Sequence, residues 1–215
     1  TSVGAGTGGV DVEAGTTTLT AISAYIRPTI IDGGTLLVSG SIANSAVTVN
    51  AGGTLGGSGT VGTTNVNGGT LAPGNASGAL TVNGNLSFTA ASSYDVGFSA
   101  TGNDRTNVAG TAALGGATVN ANFAPGAFIA KQYTIVNATG GLGGTTFGSL
   151  STNLASSFMP TLVYDANNAY LDLTLHFLGA PGTGLNQNHT NVANALTSYF
   201  NPTAGIPLVY HVLTP

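Results

Sequence analysis

The sequence predicts an all-β chain: a solenoid of short parallel strands, closed by a C-terminal β cap and followed by a short helix and a tail. Three observations carry that expectation. Glycine-cornered words recur at a period near 20, strict apolar–polar alternation takes over towards the middle, and a helical period of useful length appears only after residue 180.

Residues 1–100 read as stalk coils. Gly-Gly-Thr-Leu stands at 33–36, 52–55 and 68–71, at offsets of 19 and 16 residues, and a looser Gly15-Thr16-Thr17-Thr18-Leu19 comes 18 residues before the first copy. Each copy follows a short alternating segment: Thr29-Ile30-Ile31-Asp32, Val47-Thr48-Val49-Asn50 and Asn65-Val66-Asn67. Thr81-Val82-Asn83-Gly84-Asn85-Leu86 continues the pattern in weaker form. Such repeats describe coils that bury Val, Leu and Ile against the coils above and below, with glycine at corners that need φ > 0 or lack room for a side chain. Val49, Leu55, Val66, Leu71 and Val82 are therefore expected to point inward as one apolar column. At about 4.8 Å between stacked strands, some six coils make a rod on the order of 30 Å long. Helix does not compete here, because interior glycine costs about 1 kcal/mol against alanine.

Residues 101–177 read as the cap, the alternation having become strict from about residue 86. Leu86/Phe88 and Tyr94/Val96/Phe98 fit half-buried strands, as do 106–109, 118–123 and 131–136. A hairpin follows, with Leu162-Val163-Tyr164 as one arm, a turn at 165–168 and a second arm from Ala169 to Phe177. In that arm Leu171, Leu173, Leu175 and Phe177 share one face, and Tyr170, Asp172, Thr174 and His176 the other. A solenoid exposes an open sheet edge at its end, and this region is placed to cover it. Tyr94, Phe98, Phe123, Phe128 and Tyr133 are expected in the core of the cap rather than on a ligand platform.

Residues 178–215 begin with a linker, Gly179-Ala180-Pro181-Gly182-Thr183-Gly184. Leu185, His189, Val192, Leu196 and Tyr199 then recur at spacings of 4, 3, 4 and 3, with Ala195 and Phe200 beside them. That is one amphipathic helix, stopped by Asn201-Pro202. The apolar, proline-punctuated tail from 203 to 215 has no evident fold of its own.

Composition narrows the function. Of 215 residues, seven are acidic and three basic, for a net charge of −4, and 5% are charged against about 25% in an average domain. Arg27, Arg105 and Lys131 cannot form the basic face that nucleic acid requires. With no cysteine, neither a disulfide framework nor a thiolate metal site exists. Forty-two per cent hydrophobic residues argue against disorder. Solubility must come from Thr, Asn and Ser, a balance common in proteins exported across a bacterial envelope, so the chain is expected outside the cell. Residues 1–10 show no signal peptide, and no run of about 18 apolar residues could insert as a helix. The chain therefore reads as a piece of something longer.

Two stretches carry a family resemblance. The run from Thr18-Leu19-Thr20-Ala21-Ile22-Ser23-Ala24-Tyr25-Ile26-Arg27-Pro28 through Asp32-Gly33-Gly34-Thr35-Leu36 resembles the passenger-associated repeat of bacterial autotransporters. Gly53-Thr54-Leu55-Gly56-Gly57-Ser58-Gly59-Thr60-Val61-Gly62, then Gly68-Gly69-Thr70-Leu71-Ala72-Pro73-Gly74-Asn75, is similar to the C-terminal passenger segment of the same proteins. Asn103-Asp104-Arg105, Thr118-Val119-Asn120 and Tyr164-Asp165-Ala166-Asn167-Asn168-Ala169-Tyr170-Leu171 follow in the family's order. Asn186-Gln187 and the segment 191–196 look like the approach to an outer-membrane barrel. The family usually has Gly, Asn or Thr where this chain has Ala21, Ile22, Ile26 and Arg27. The resemblance implies a right-handed parallel β-helix stalk of a type V secreted passenger, its C-terminal part acting as an autochaperone. It also implies a partner, the protein's own outer-membrane β-barrel, which is missing from this chain.

No catalytic, cofactor-binding or metal-ligating residue is expected. Gly-x-Gly-x-x-Gly at 4–9 and 57–62 lacks the following helix and ribose-binding acid of a nucleotide site. The words at 6–11 partly resemble a calcium-binding nonapeptide, but only once, where stacked copies are needed. Asp172 and His176, about 13 Å apart along a strand, cannot touch. His189 falls on the helix stripe and His211 in the tail, so no zinc site forms. Asp104-Arg105, the adjacent charge pair, reads as a turn aspartate with an arginine stem along a strand edge. The expected function is a non-catalytic stalk and folding nucleus. The alternatives are an adhesin for a host or cell-surface ligand and a self-assembling extracellular filament; an enzyme ranks last.

Overall fold

The computed structural model describes residues 2–3, 9–74, 78–175, 187–200 and 206–207. It is mostly β, with parallel sheets and, among the described residues, one helix. That agrees with the all-β, β-helix-like class.

Alternation makes the strands. In Val47–Asn50, Val47 and Val49 are wholly buried while Thr48 and Asn50 stay half-buried on the other face. The chain turns through Ala51 and Gly52 into Gly53–Gly57, turns again, and forms Thr60–Val61. These three strands enter three different sheets, and the rotation repeats: Thr64–Asn67, Thr70–Pro73 and Ala79–Val82 each pair in parallel with their counterparts. The first sheet runs from Ser2–Val3, antiparallel to Val10–Val12, through Thr29–Ile31 to Leu86–Phe88 and Ala112–Ala113. The second runs from Thr16–Leu19 and Gly34–Val38 to Ser93–Ser99, Thr118–Phe123 and Ser149–Thr152. The third runs from Ser41–Ile42 to Arg105–Val108 and Gln132–Ala138, then to Asn168–Leu175 and Phe158–Tyr164.

Register aligns like with like. Leu36, Leu55, Leu71, Tyr94 and Val119 lie opposite one another along the second sheet. Ile31, Val49, Val66 and Phe88 do so along the first. The five residues expected to point inward do: Val49, Leu55, Leu71 and Val82 are 0% exposed and Val66 1%.

The paired glycines meet two separate demands. In the copy at 52–55, Gly52 takes φ +92, while Gly53 lies so close to the neighbouring strand that an added Cβ would sit 2.3 Å from the Ile31 carbonyl oxygen. In the copy at 33–36, Gly34 does both, with φ +70 and an added Cβ 2.4 Å from the Gly15 carbonyl oxygen. The corner has thus moved by one residue between copies that read identically.

The parallel ladders do not stop at residue 100, where the cap was expected to begin. They continue through Thr118–Phe123 to Ser149–Thr152 in one sheet and to Gln132–Ala138 in another. Antiparallel pairing then closes the third sheet: Gln132–Ala138 with Asn168–Leu175, and the latter with Phe158–Tyr164. The expected hairpin is this last pair, Leu162 opposite Leu171 and Tyr164 opposite Ala169. Asp165 shapes its turn, Oδ1 accepting the Asn167 and Asn168 amides at 2.7 Å each. Leu171, Leu173 and Leu175 are buried together; Phe177 and His176 lie outside the described residues.

The helix spans Gln187–Phe200, and its buried face corrects the expected stripe. Val192 and Tyr199 are 55% and 57% exposed, whereas Phe200 is fully buried with its ring edge-on to Phe158 at 5.8 Å. The 3–4 spacing marks an apolar stripe, but the large apolar partner offered by the sheet is Phe158, which draws in Phe200, with Leu196 partly buried beside the core. Leu185, the linker at 179–184 and His211 lie outside the described residues, as does the side chain of His189. In the tail, Ile206–Pro207 pairs antiparallel with Phe128–Ile129, an ordering that the tail's sequence does not suggest.

Candidate functional site

Asp104 is the most buried acid, at 6% exposed. It precedes Arg105–Val108, and its carboxylate bridges the strand Ser93–Ser99 and the residue before Ala79–Val82. Oδ1 accepts the Gly78 amide at 3.0 Å and Oδ2 the Gly97 amide at 3.2 Å, while the Asp104 amide donates to the Gly97 carbonyl at 2.8 Å. Gly74, at φ +79, makes room for it: an added Cβ there would fall 1.9 Å from Oδ1. Burial pushes the Asp104 carboxyl above the usual carboxylate range, partly offset by the two amides. Asp104 is therefore a bolt between backbone segments, where the sequence suggested a local turn aspartate. Arg105, the first residue of Arg105–Val108, is exposed.

Three other acids, Asp32, Asp95 and Asp172, each pair with a side-chain amide on a neighbouring strand instead of converging. Asn50 Nδ2 donates to Asp32 Oδ1 at 2.7 Å, Asn120 Nδ2 to Asp95 Oδ1 at 2.6 Å, and Gln132 Nε2 to Asp172 Oδ1 at 2.7 Å. Among the described residues no group of three His, Asp or Glu could hold a metal ion. Of the calcium-like words at 6–11, Gly6, Thr7 and Gly8 lie outside the described residues, and Asp11 is exposed in Val10–Val12. The Gly-x-Gly-x-x-Gly word at 57–62 turns between two strands, and its amides are spent on pairing: Gly59 N donates to Val38 O at 2.8 Å and Thr60 N to Gly40 O at 2.9 Å. A phosphate cradle needs those groups free.

The aromatic residues form core. Tyr94 stacks on Phe147 at 5.5 Å and meets Phe88 edge-on, and Phe98 stacks on Phe123 at 4.3 Å with Tyr133 against it. The side chain of Phe128 lies outside the described ones. Tyr94 reaches across the interior from the second sheet to the third, its hydroxyl donating to Ile135 O at 2.6 Å beside Thr106 Oγ1 at 3.0 Å. Burial pushes this phenol well above its ordinary range, so it stays neutral.

One cluster has no signal in the sequence. Tyr25, Thr29 and Ser45 bring three hydroxyls together: Ser45 Oγ lies 2.8 Å from Thr29 Oγ1 and 3.0 Å from the Tyr25 hydroxyl, which also bonds Thr29, and donates to Arg27 O at 2.6 Å. Thr29 and Ser45 are 0% exposed. None of these contacts is an imidazole, carboxylate or amine able to take a proton from serine. The cluster pins the loop at 20–28, which carries the exposed Ile22 and Ile26.

Among known proteins, no family model and no curated protein matches the chain.

Proposed function

We propose that this chain is the C-terminal part of a surface-displayed passenger of the bacterial autotransporter type. In this reading it is a right-handed parallel β-helix, non-catalytic, serving as a stalk whose C-terminal half nucleates folding outside the cell. The observation that carries the reading is the rotation of successive short strands through three parallel sheets, ended by an antiparallel hairpin and a helix. The ordered motifs from the passenger-associated repeat to the 164–171 turn support it. So does the distribution of large exposed apolar side chains. Among the described residues these are Ile22, Ile26, Met159, Val163, Val192 and Tyr199. Among the described side chains none falls between residues 29 and 158, which argues against an adhesive ladder along those strands.

The test is to place the chain between an export signal and an outer-membrane β-barrel and to read surface protein by protease resistance. The full chain should give a folded, protease-resistant surface segment. Deleting residues 86–177 should leave residues 1–85 degraded or retained. Equal surface folding with and without 86–177 would overturn the folding-nucleus role, and failure of the full chain to fold at the surface would overturn the passenger assignment.

A further inference from the structure

The chain holds two Asn-Gly pairs, each within a Val-Asn-Gly word, at 66–68 and 82–84. Glycine lacks a Cβ that would hinder its backbone nitrogen from bending back onto the preceding side chain, so Asn-Gly is the dipeptide best suited to intramolecular deamidation. The two words read alike, but the structure treats their glycine nitrogens differently.

At 66–68 the attacking nitrogen is occupied. Gly68 N donates to Thr89 Oγ1 at 3.2 Å and to Ser92 Oγ at 3.1 Å. Ser92 is itself anchored, 1% exposed and donating to Val66 O at 2.7 Å. Asn67 is the last residue of Thr64–Asn67 and pairs in register with Asn50. At 82–84 the grip falls on the other end of the peptide unit. Gly84 N makes no hydrogen bond among the described residues, whereas Gly84 O accepts the Gly110 amide at 2.9 Å. Asn83 is exposed and lies just past the end of Ala79–Val82.

We propose that Asn83-Gly84 is a self-modification site of the folded protein and that Asn67-Gly68 is protected. Gly84 N attacks Asn83 Cγ, forming an N–Cγ bond. The Cγ–Nδ2 bond breaks, and the side-chain NH2 leaves as ammonia with the proton lost from Gly84 N. One water then opens the succinimide at either carbonyl, giving aspartate or isoaspartate. No redox partner is needed. Each event adds one negative charge at a corner of a chain that starts at −4. The isoaspartyl product also lengthens the backbone by one methylene beside the Gly84–Gly110 hydrogen bond.

The experiment incubates the whole chain at mildly alkaline pH and follows both sites by peptide mapping, with isoaspartyl methyltransferase labelling as a second readout. In the native protein, residue 83 should convert roughly tenfold faster than residue 67, because two hydrogen bonds must open before Gly68 N can attack. In urea the two rates should draw together, since the words are locally alike. The Thr89→Ala/Ser92→Ala variant should speed conversion at 67 while leaving 83 unchanged. Conversion at 67 as fast as at 83 in the native protein overturns the proposal. A ratio that persists in urea overturns it too, by assigning the difference to local sequence. If the double variant misfolds, the native and urea ratios decide.

Discussion

Residues 29–82 and 86–175 rotate their strands through the same three sheets, yet they fill the interior with different chemistry. In the first region the buried hydrophobic side chains are aliphatic: Ile31, Leu36, Val47, Val49, Leu55, Val61, Leu71 and Val82 among them. Most sit in register with another aliphatic residue, while Val47 lies between Thr29 and Thr64, so the region is a column of small contacts on strands of two to five residues. In the second, Phe88, Tyr94, Phe98, Phe123, Tyr133 and Phe147 are buried and touch one another, on strands of up to eight residues. Tyr94 bridges two sheets through its hydroxyl. Repetition gives a structure that can be extended, each unit depending on its neighbours. Ring clusters give one that holds itself together, since each aromatic buries roughly 150–250 Å².

The sharpest way to break this comparison is to separate the regions. Residues 86–177 alone should show a cooperative thermal transition and protected amides. Residues 1–85 alone should be poorly ordered or aggregate, because glycine-rich corners carry a large ordering entropy with few large side chains to offset it. Cooperative folding of 1–85 and none of 86–177 would reverse the proposed direction of folding.

Point substitutions sharpen it. Tyr94→Ala removes its ring contacts with Phe88 and Phe147 and leaves the Ile135 carbonyl without its donor, and should cost about 3–5 kcal/mol in urea denaturation. Leu55→Ala, in the aliphatic column, should cost about 2–4 kcal/mol, with the cavity bounded by Leu36 and Leu71. A Leu55 cost above that of Tyr94 would erase the distinction between the regions. Smaller again is Gly34→Ala, at about 2 kcal/mol, from a left-handed φ and contact with the 14–15 backbone. Gly15→Ala, at φ +73 but with open space around the new methyl, should cost about half as much, which isolates the clash from the φ penalty.

The period of the glycine words and the alternation beside them are enough to name the inward column, because a two-residue period leaves one choice of face once the corners are placed. The same reading ends the parallel ladders too early. From residue 86 the arrival of aromatic rings and longer strands reads as a new kind of structure, although Ser93–Ser99 still pairs with Thr70–Pro73 on one side and Thr118–Phe123 on the other. Spacing misplaces the helix face because it records where apolar residues lie, not which one meets Phe158. Asp104 reads as a turn residue because the amides that hold it belong to Gly78 and Gly97, brought to it only by the fold. The Tyr25–Thr29–Ser45 cluster is equally invisible, since its longest link spans 20 residues between hydroxyls that could face water anywhere.

The last and smallest contrast is one of sign. Asp104 and Asp165 each accept backbone amides, but burial raises the first while hydrogen bonds from Tyr170, Asn167 and Asn168 lower the second to about 2. From an ordinary aspartate value of 3.8 upward, the folded state holds the Asp104 proton more tightly than the unfolded state does. Asp104 therefore contributes a stability that falls as pH rises through that window, because the native state there binds the extra proton. Asp165 contributes stability present above 3.8 and lost as pH falls toward 2. Urea titrations across pH should then show Asp104→Asn removing a decline above about pH 4, and Asp165→Asn removing a loss below it. The carboxamide introduced by Asp104→Asn has a single acceptor oxygen where the carboxylate has two, so it cannot reach both glycine amides, and the variant's absolute stability will drop. The slope with pH is the readout. An unchanged slope in Asp104→Asn would mean that the two amides offset the effect of burial in full, and a slope of opposite sign that they outweigh it.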